Sequence, residues 1–320
     1  MEKFPLATKG RSSRLATADG LTLAVESRGP IGARPVLFAH GFGQSRRIWA
    51  RPAAALARRG WRTVTFDARG HGDSDRLPDG AYRLEQFVAD LLAVTASLGE
   101  SPVMVGHSMG GLLAIIAAGE VRPEPFRAPF RALVLVDIAP RWEASGVQRI
   151  LAFMRAHRDG FASPEEAARE VAAYAPGRAR SGEELTQLLR RDDDGRWRWQ
   201  WDPALLDTVA VEGQRHQQRL VEAARNIDVP VLLLSGGRSD VVSERTVEEF
   251  LHNVPAARHI ELPEATHAVA TDDHGAFTAA SASFLESLDP APSRVRESRD
   301  TGGRSAAGAA PPASSAVNGP

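Results

Sequence analysis

The sequence predicts an α/β fold in which a mostly parallel sheet is covered by helices on both faces. Short apolar segments of strand length, such as 35–39 and 132–136, alternate with longer amphipathic segments of helical spacing, such as 84–98. This alternation is typical of parallel strands joined by crossover helices. Polar and glycine-rich motifs directly follow several apolar segments, and the carboxyl ends of parallel strands meet at one crevice. We therefore expect a functional site at that edge of the sheet.

The predicted elements run in order from a hairpin at the start. Segments 14–18 and 21–26 alternate in polarity and are joined by Asp19-Gly20, a favoured two-residue turn. The elements expected after the hairpin are the strand 35–39, the helix 48–59, the strand 62–66, the helix 84–98, the strand 102–105, the helix 112–118, the strand 132–136, the strand 229–234, the helix 244–253, the strand 258–262 and the helix 276–288.

Residues 141–228 interrupt the alternation. Four segments have helical patterns, with no strand-like segments between them: 150–157, 164–174, 183–190 and 203–225. This pattern predicts a helical cap inserted between two strands, which would exclude water and shape a pocket. A helical excursion packed at the side of the sheet is the alternative. The domain prediction is thus a core of 13–140 and 229–288 with a cap of 141–228.

The two ends of the chain differ from its middle. Residues 289–320 are rich in Ala, Pro, Ser and Gly and contain almost no large apolar side chain. Such a segment buries too little apolar surface to offset the entropy lost on ordering. We expect a disordered C-terminal tail over 289–320 and a flexible N-terminus over 1–12.

The composition excludes several classes of function. A formal net charge of -1 offers no electrostatic attraction for nucleic acid. The sequence contains 0 cysteines, so disulfides, thiolate nucleophiles and cysteine-ligated metals are excluded. No apolar segment reaches the ~18 residues of a membrane span. We expect a cytoplasmic protein without a membrane span, a metal or another cofactor; its oligomeric state stays open.

The motif with the most chemistry is GHSMG at 106–110. It follows an apolar strand-like segment and precedes a helical one, the setting of a nucleophile elbow, where a serine hydroxyl is exposed at a sharp turn above a sheet. The flanking glycines avoid the clash that a Cβ would make there. Ser108 is therefore the candidate nucleophile, although a serine hydroxyl needs a neighbouring base to react.

At this point the sequence resembles an α/β-hydrolase over residues 13–288. Within that superfamily it is most similar to small bacterial serine esterases and to cofactor-free haloperoxidases (perhydrolases). One departure is Thr266, where the family usually has glycine before its histidine. The matching motifs are HGFG at 40–43, DARGHG at 67–72, GHSMG at 106–110, GRSD at 237–240 and His267. The resemblance implies an eight-stranded sheet, an inserted cap and a Ser-His-Asp triad.

The resemblance also implies the two partners of Ser108. His267 lies in the loop after the last strand, where the family places its base. Asp240, after the 229–234 strand, is the expected acid, which would hold the imidazole in the correct tautomer. Asp137, at the end of the preceding strand, is the alternative, because some relatives carry their acid there. His40, His71 and His107 are interpreted as residues that shape loops or pack beneath the turn.

An oxyanion hole and a pocket complete the predicted site. The backbone N–H of Met109 and that of Phe42 are the expected oxyanion donors. Phe42, Trp142 and Trp199 are the candidate pocket residues. Trp197, Trp199 and Trp201 alternate in an extended segment, and packing of the cap on the core is the simpler interpretation of that pattern. No carboxylate or arginine of the cap stands out in the sequence as an anchor for a charged substrate.

The expected function is hydrolysis of carboxylic esters with small to medium apolar acyl groups through an acyl-enzyme. The partner is therefore a small apolar ester. Perhydrolase chemistry and hydrolysis of thioesters or C–C bonds use the same residues and stay open as alternatives. A ligand-binding, receptor-like homologue that keeps the triad is the non-enzymatic alternative.

Overall fold

The computed structural model describes residues 10–121, 128–175, 181–186, 188–207, 216–272 and 274–288. Its main sheet has eight strands, in the order β1-β2-β4-β3-β5-β6-β9-β10. These strands are β1 (Arg11–Ala16), β2 (Thr22–Arg28), β3 (Pro35–Ala39), β4 (Arg62–Phe66), β5 (Val103–His107), β6 (Ala132–Val136), β9 (Val231–Gly236) and β10 (Ala257–Leu262). β1 and β2 are antiparallel to their neighbours, whereas the other pairs are parallel. The predicted α/β-hydrolase architecture is confirmed.

Helices cover both faces of this sheet because successive buried side chains of its central strands point to opposite sides. Leu37 and Met104 belong to one core with α2 (Leu84–Ala96) and α3 (Met109–Glu120). Phe38 belongs to the other core. That second core includes residues of the helices 50–58 and 274–287. The remaining helices are α1 (Ala50–Arg58), α4 (Ala144–Ala156), α5 (Pro164–Tyr174), α6 (Gly182–Thr186), α7 (Gln217–Arg225), α8 (Glu244–Asn253), α9 (Val269–Asp272) and α10 (His274–Ser287).

The predicted N-terminal hairpin is present, turned at Gly20 with a φ of 88°. Its first strand already begins at Arg11, so residues 11 and 12, expected to be flexible, pair with Ser27 and Glu26 of β2. Residues 1–9 of the predicted flexible N-terminus, and the predicted tail 289–320, lie outside the described residues.

Residues 141–228 contain α4, α5, α6 and α7 but also a two-stranded hairpin. The prediction of no strand there was wrong: β7 (Leu189–Arg191) pairs with β8 (Trp197–Trp199). Helix α6 ends at Thr186, short of the predicted 190. Alternation of arginine and tryptophan in β8, and a turn with Gly195 at a φ of 79°, favour the hairpin. Of the predicted helix 203–225, α7 is described, and 208–215 lie outside the described residues.

The described residues contain neither a membrane-spanning helix nor a cluster of metal-ligating side chains. None of the helices in those residues has the length and apolarity needed to cross a membrane. The same residues hold no group of three or more His, Cys, Asp or Glu side chains suited to a metal ion.

Candidate active site

Ser108 lies at the sharp turn between β5 and α3. Its φ of 49° falls in a region that residues other than glycine rarely adopt. A Cβ on Gly106 would lie 2.6 Å from the carbonyl of Gly110, and one on Gly110 would lie 2.5 Å from the carbonyl oxygen of Ala39. The two motif glycines are therefore required by the close approach of α3 to β5 and β3.

His267 reaches Ser108 from the loop between β10 and α9. Its Nε2 lies 3.2 Å from the Ser108 Oγ, although the two residues are 159 positions apart in the chain. The imidazole is partly buried, with 17% of its side chain exposed. A base within hydrogen-bond distance of a serine hydroxyl is the arrangement that activates the hydroxyl as a nucleophile.

The acid expected beside His267 is corrected by the structure. Asp137 Oδ2 lies 2.7 Å from His267 Nδ1, whereas Asp240 does not contact the imidazole. Instead, Asp240 Oδ2 accepts a hydrogen bond from Arg149 Nε of α4 at 2.6 Å. Asp137, the alternative in the sequence analysis, therefore occupies the position that had been assigned to Asp240.

Strand register explains why Asp137 is close. His107 pairs with Val136, so Ser108 and Asp137 follow neighbouring parallel strands at the same level. The Asp137 carboxylate is fully buried. It accepts hydrogen bonds from the Gly236 N–H at 2.8 Å and from the Ser239 hydroxyl at 2.5 Å. The sequence analysis missed the role of Ser239, although this residue lies within the GRSD motif.

Close packing directs Asp240 away from the imidazole. A Cβ on Gly146 would lie only 1.9 Å from the Asp240 carbonyl oxygen, so the backbone of α4 lies directly against this loop. Arg149, one turn further along α4, then meets the carboxylate. Both side chains of this ion pair are partly exposed, with 50% of Arg149 and 34% of Asp240 accessible.

His107 links the loops that surround Ser108. Its Nε2 lies 2.7 Å from the His267 carbonyl oxygen, and its Nδ1 lies 2.9 Å from Gln44 Oε1. Gln44 Oε1 also accepts a hydrogen bond from the Gly41 N–H at 2.9 Å. The buried ring therefore packs beneath the turn, as predicted from sequence. Gln44 was not predicted, because its side chain gains this role only when the loop folds back.

The loop 40–43 passes beside the nucleophile. A Cβ on Gly41 would lie 3.1 Å from the Ser108 Cβ. The Gly43 N–H donates to His71 Nε2 at 3.1 Å, and His71 Nδ1 lies 2.9 Å from the Arg69 carbonyl oxygen. His71 therefore donates from Nδ1, accepts at Nε2 and is neutral. Burial, with a smaller contribution from the charge of His40, lowers the pKa of His71 to about 3.

The neutral state of His71 predicts a loss of stability in acid. In the unfolded chain this histidine has a pKa of about 6.5 and binds a proton below that pH. In the folded protein it stays neutral until the pH falls to about 3, so protonation favours the unfolded chain between these two values. The contribution of neutral His71 to the free energy of unfolding is therefore fully present above pH ~6.5 and is lost as the pH falls toward 3. We expect His71→Gln to reduce the difference in unfolding free energy between pH 7.5 and pH 5 by about 2 kcal/mol, measured by urea denaturation.

The control for this measurement is His252→Gln, because His252 is exposed on α8. We expect this variant to keep the pH dependence of the wild-type protein. An unchanged pH dependence in His71→Gln would contradict the neutral assignment.

The three candidate pocket residues lie in different surroundings. Phe42 packs against Trp201, with ring centroids 6.0 Å apart, and a Cβ on Gly43 would lie 2.6 Å from the Met154 methyl group. Trp142 is buried, whereas Trp199 lies edge-on to a different ring, Phe161. Trp201, one of the three alternating tryptophans for which packing was the simpler interpretation, thus lies at the 40–43 loop.

Comparison with known proteins identifies the family of this chain. Residues 36–280 match the model of the alpha/beta hydrolase family, and the chain belongs to that family. It is 32% identical to an sn-1-specific diacylglycerol lipase of Mus musculus, with 78% of this chain and 80% of the lipase covered. It is 33% identical to a non-heme chloroperoxidase of Streptomyces lividans over 38% of this chain and 43% of that protein.

A solved structure of a Mycobacterium tuberculosis esterase shares 25% identity and superimposes with a TM-score of 0.68. The superposition covers 89% of this chain and 93% of the esterase. The predicted resemblance to esterases and haloperoxidases is confirmed. The protein is an alpha/beta hydrolase family enzyme.

Proposed function

We propose that this protein is a serine hydrolase that cleaves carboxylic esters of small to medium apolar acyl groups through an acyl-enzyme. The observation that carries the proposal is the continuous path of hydrogen bonds from Ser108 through His267 to Asp137. The nucleophile is hydrogen-bonded to the base and the base to the acid, the same arrangement as in serine hydrolases of other folds.

Each residue then has a defined step. Ser108 Oγ attacks the ester carbonyl while His267 Nε2 takes its proton, and the Asp137 carboxylate stabilises the resulting imidazolium. His267 returns the proton to the departing alcohol. A water molecule, deprotonated by His267, then attacks the acyl-enzyme and releases the carboxylic acid and Ser108.

The negative oxygen of the tetrahedral intermediate requires two donors. The Met109 N–H is available at the first turn of α3, where N–H groups have no acceptor within the helix. Phe42 supplies the second N–H. Its neighbours Gly41 and Gly43 are held by Gln44 and His71, so the backbone at Phe42 is fixed before substrate binds.

An apolar acyl group would rest against Phe42, Met154 and Trp201. Two of these residues come from 141–228, which is consistent with a cap over the site. Trp142 stays a candidate pocket residue because it is buried in the same hydrophobic core as Met154 and Trp201. The two relatives named as a lipase and an esterase support an ester as the bond that is cleaved.

Peroxide chemistry is a second candidate, favoured by the likeness to the chloroperoxidase. The same acyl-enzyme would then be attacked by hydrogen peroxide, and the product would be a peracid. Measuring peracid formation beside acid formation distinguishes the two acceptors.

A fluorophosphonate probe tests the proposal against a receptor-like role. We expect the folded protein to form one covalent adduct at Ser108, located by mass spectrometry, because only an activated hydroxyl attacks the probe. Ser108→Ala should not be labelled, whereas Ser97→Ala, which changes an exposed serine after α2, should be labelled normally. Absence of labelling in the folded wild-type protein would favour a binding protein.

A further inference from the structure

A concave site is lined in part by Trp201. It has a volume of about 130 Å³. Four guanidinium groups and two indoles line it, from Arg76, Arg158, Arg190, Arg198, Trp199 and Trp201. The arginines come from separate parts of the chain, namely the loop after β4, the turn after α4 and the strands β7 and β8. Their convergence arises only in the folded protein.

The residues that line this pocket include four arginines and one carboxylate. Asp192 is the carboxylate among its lining residues, and it accepts hydrogen bonds from Arg190 at 2.7 Å and from Arg198 at 3.0 Å. Asp194, outside the pocket, also pairs with Arg198. Arg158 pairs with Asp207 at 3.3 Å, so three of the four arginines that line the pocket have a carboxylate partner.

Arg76 is the cation with the weakest compensation. Within the described part of the chain, no carboxylate oxygen lies within 4.0 Å of its guanidinium group. Its closest acceptor is the backbone oxygen of Trp201 at 3.5 Å, the limit for a hydrogen bond. The nearby Asp202 carboxylate already accepts from the Tyr82 hydroxyl at 2.7 Å. Burial and then the positive charge of Arg190 lower the pKa of Arg76.

The hairpin brings two of these charges directly together. Arg190 and Arg198 are opposite each other in the register of β7 and β8. Like charges in directly opposed positions destabilise a strand pair unless a counter-ion is shared between them. An anion in the pocket would supply further compensation. The two indoles provide flat faces on which guanidinium groups can stack.

We propose that this pocket is a binding site for a small oxyanion, a carboxylate or a phosphate group, held by Arg76 together with Arg190 and Arg198. Planar guanidinium groups bind both anions through paired N–H donors. The anion has two possible sources: the distal end of a substrate, or a free metabolite. Trp201 would connect either one to the proposed catalytic site, because its ring also packs on Phe42.

Direct binding tests the proposal without reference to turnover. Isothermal titration calorimetry of the full chain at low ionic strength would use inorganic phosphate and, separately, succinate. We expect at least one of them to bind and Arg76→Gln to weaken that binding at least 10-fold. Arg59→Gln, which changes an exposed arginine paired with Glu286, should bind as the wild type does. Failure of both anions to bind, or unchanged binding by Arg76→Gln, would overturn the proposal.

A substitute variant and a catalytically inactive variant serve as further tests of anion binding. If Arg76→Gln does not fold, as judged by circular dichroism, Arg190→Gln is used instead. We expect Arg190→Gln to weaken anion binding at least 10-fold, and unchanged binding would overturn the proposal. Titration of Ser108→Ala should give the wild-type affinity, so that the anion site is tested even if the proposed hydrolase activity fails.

Kinetics then distinguish the two sources. If the anion belongs to the substrate, Arg76→Gln should raise KM at least 10-fold for the p-nitrophenyl monoester of glutaric acid and leave p-nitrophenyl butyrate unaffected. If the anion is a free ligand, phosphate should change turnover of p-nitrophenyl butyrate by the wild-type protein and not by Arg76→Gln. Either result supports the oxyanion site.

Discussion

Replacing Ser108 with alanine is expected to lower kcat for p-nitrophenyl butyrate by a factor on the order of 10⁵ or more. The proposed mechanism passes through an ester bond to Ser108 Oγ, and losing the nucleophile of a serine hydrolase removes almost all catalysis that depends on it. The position of His267, 3.2 Å from that oxygen, is the geometric basis for the expectation.

The measurement is release of p-nitrophenolate by purified protein, with circular dichroism as the check on folding. The elbow glycines and the φ of residue 108 do not depend on the hydroxyl group, so the variant should keep its fold. His267→Ala serves as the companion variant and should lose activity to a similar extent. Turnover by Ser108→Ala at the wild-type rate would rule out the nucleophile assignment.

Asp137→Asn is expected to reduce kcat by roughly 10³- to 10⁴-fold. Asparagine fits the same space, but its amide carries no negative charge to stabilise the imidazolium. Its NH₂ group can also face His267 Nδ1 and hold the ring in the wrong tautomer. The carboxylate now accepts hydrogen bonds from Gly236 and Ser239, which fix its orientation toward the ring.

The matched control is Asp240→Asn, which makes the same chemical change in the other candidate acid. It should leave kcat within about threefold of wild type, because its carboxylate contacts Arg149 and not the imidazole. A partly exposed ion pair of this kind contributes about 0–1 kcal/mol to stability. A large loss in Asp240→Asn with normal activity in Asp137→Asn would show that the acid had been assigned wrongly.

Much of the fold was predictable because it is encoded locally. Apolar strand-length segments, amphipathic helices and the Asp19-Gly20 turn are signals carried by adjacent residues, and the eight-stranded sheet confirmed them. The β7–β8 hairpin was missed because its three-residue strands are too short to show a period, and the turn between them contains charged residues typical of many loops.

Some residues around Ser108 were likewise predictable from a local motif, whereas others were not. The GHSMG motif predicted the elbow, since its glycines are explained by backbone contacts within a few residues and by the adjacent strand β3. Gln44 and Ser239 carried no comparable signal, and the alternation of the tryptophans did not indicate that Trp201 is the one at the 40–43 loop. Each of these side chains contacts the site through a hydrogen bond or ring contact between residues far apart in the chain or within a folded loop.

Local patterns in the amino-acid order were thus enough to specify the class of fold and the serine at the elbow, and the resemblance to the family added the late histidine as the candidate base. The sequence could not decide whether Asp137 or Asp240 is the acid, because both residues follow strands whose carboxyl ends lie at the same edge of the sheet. Three-dimensional packing settled which carboxylate faces the imidazole: α4 contacts the Asp240 loop and provides Arg149, while Asp137 is buried against Gly236 and Ser239. Side-chain direction at the end of a strand depends on the loops and helices that pack over it, and these come from distant parts of the chain.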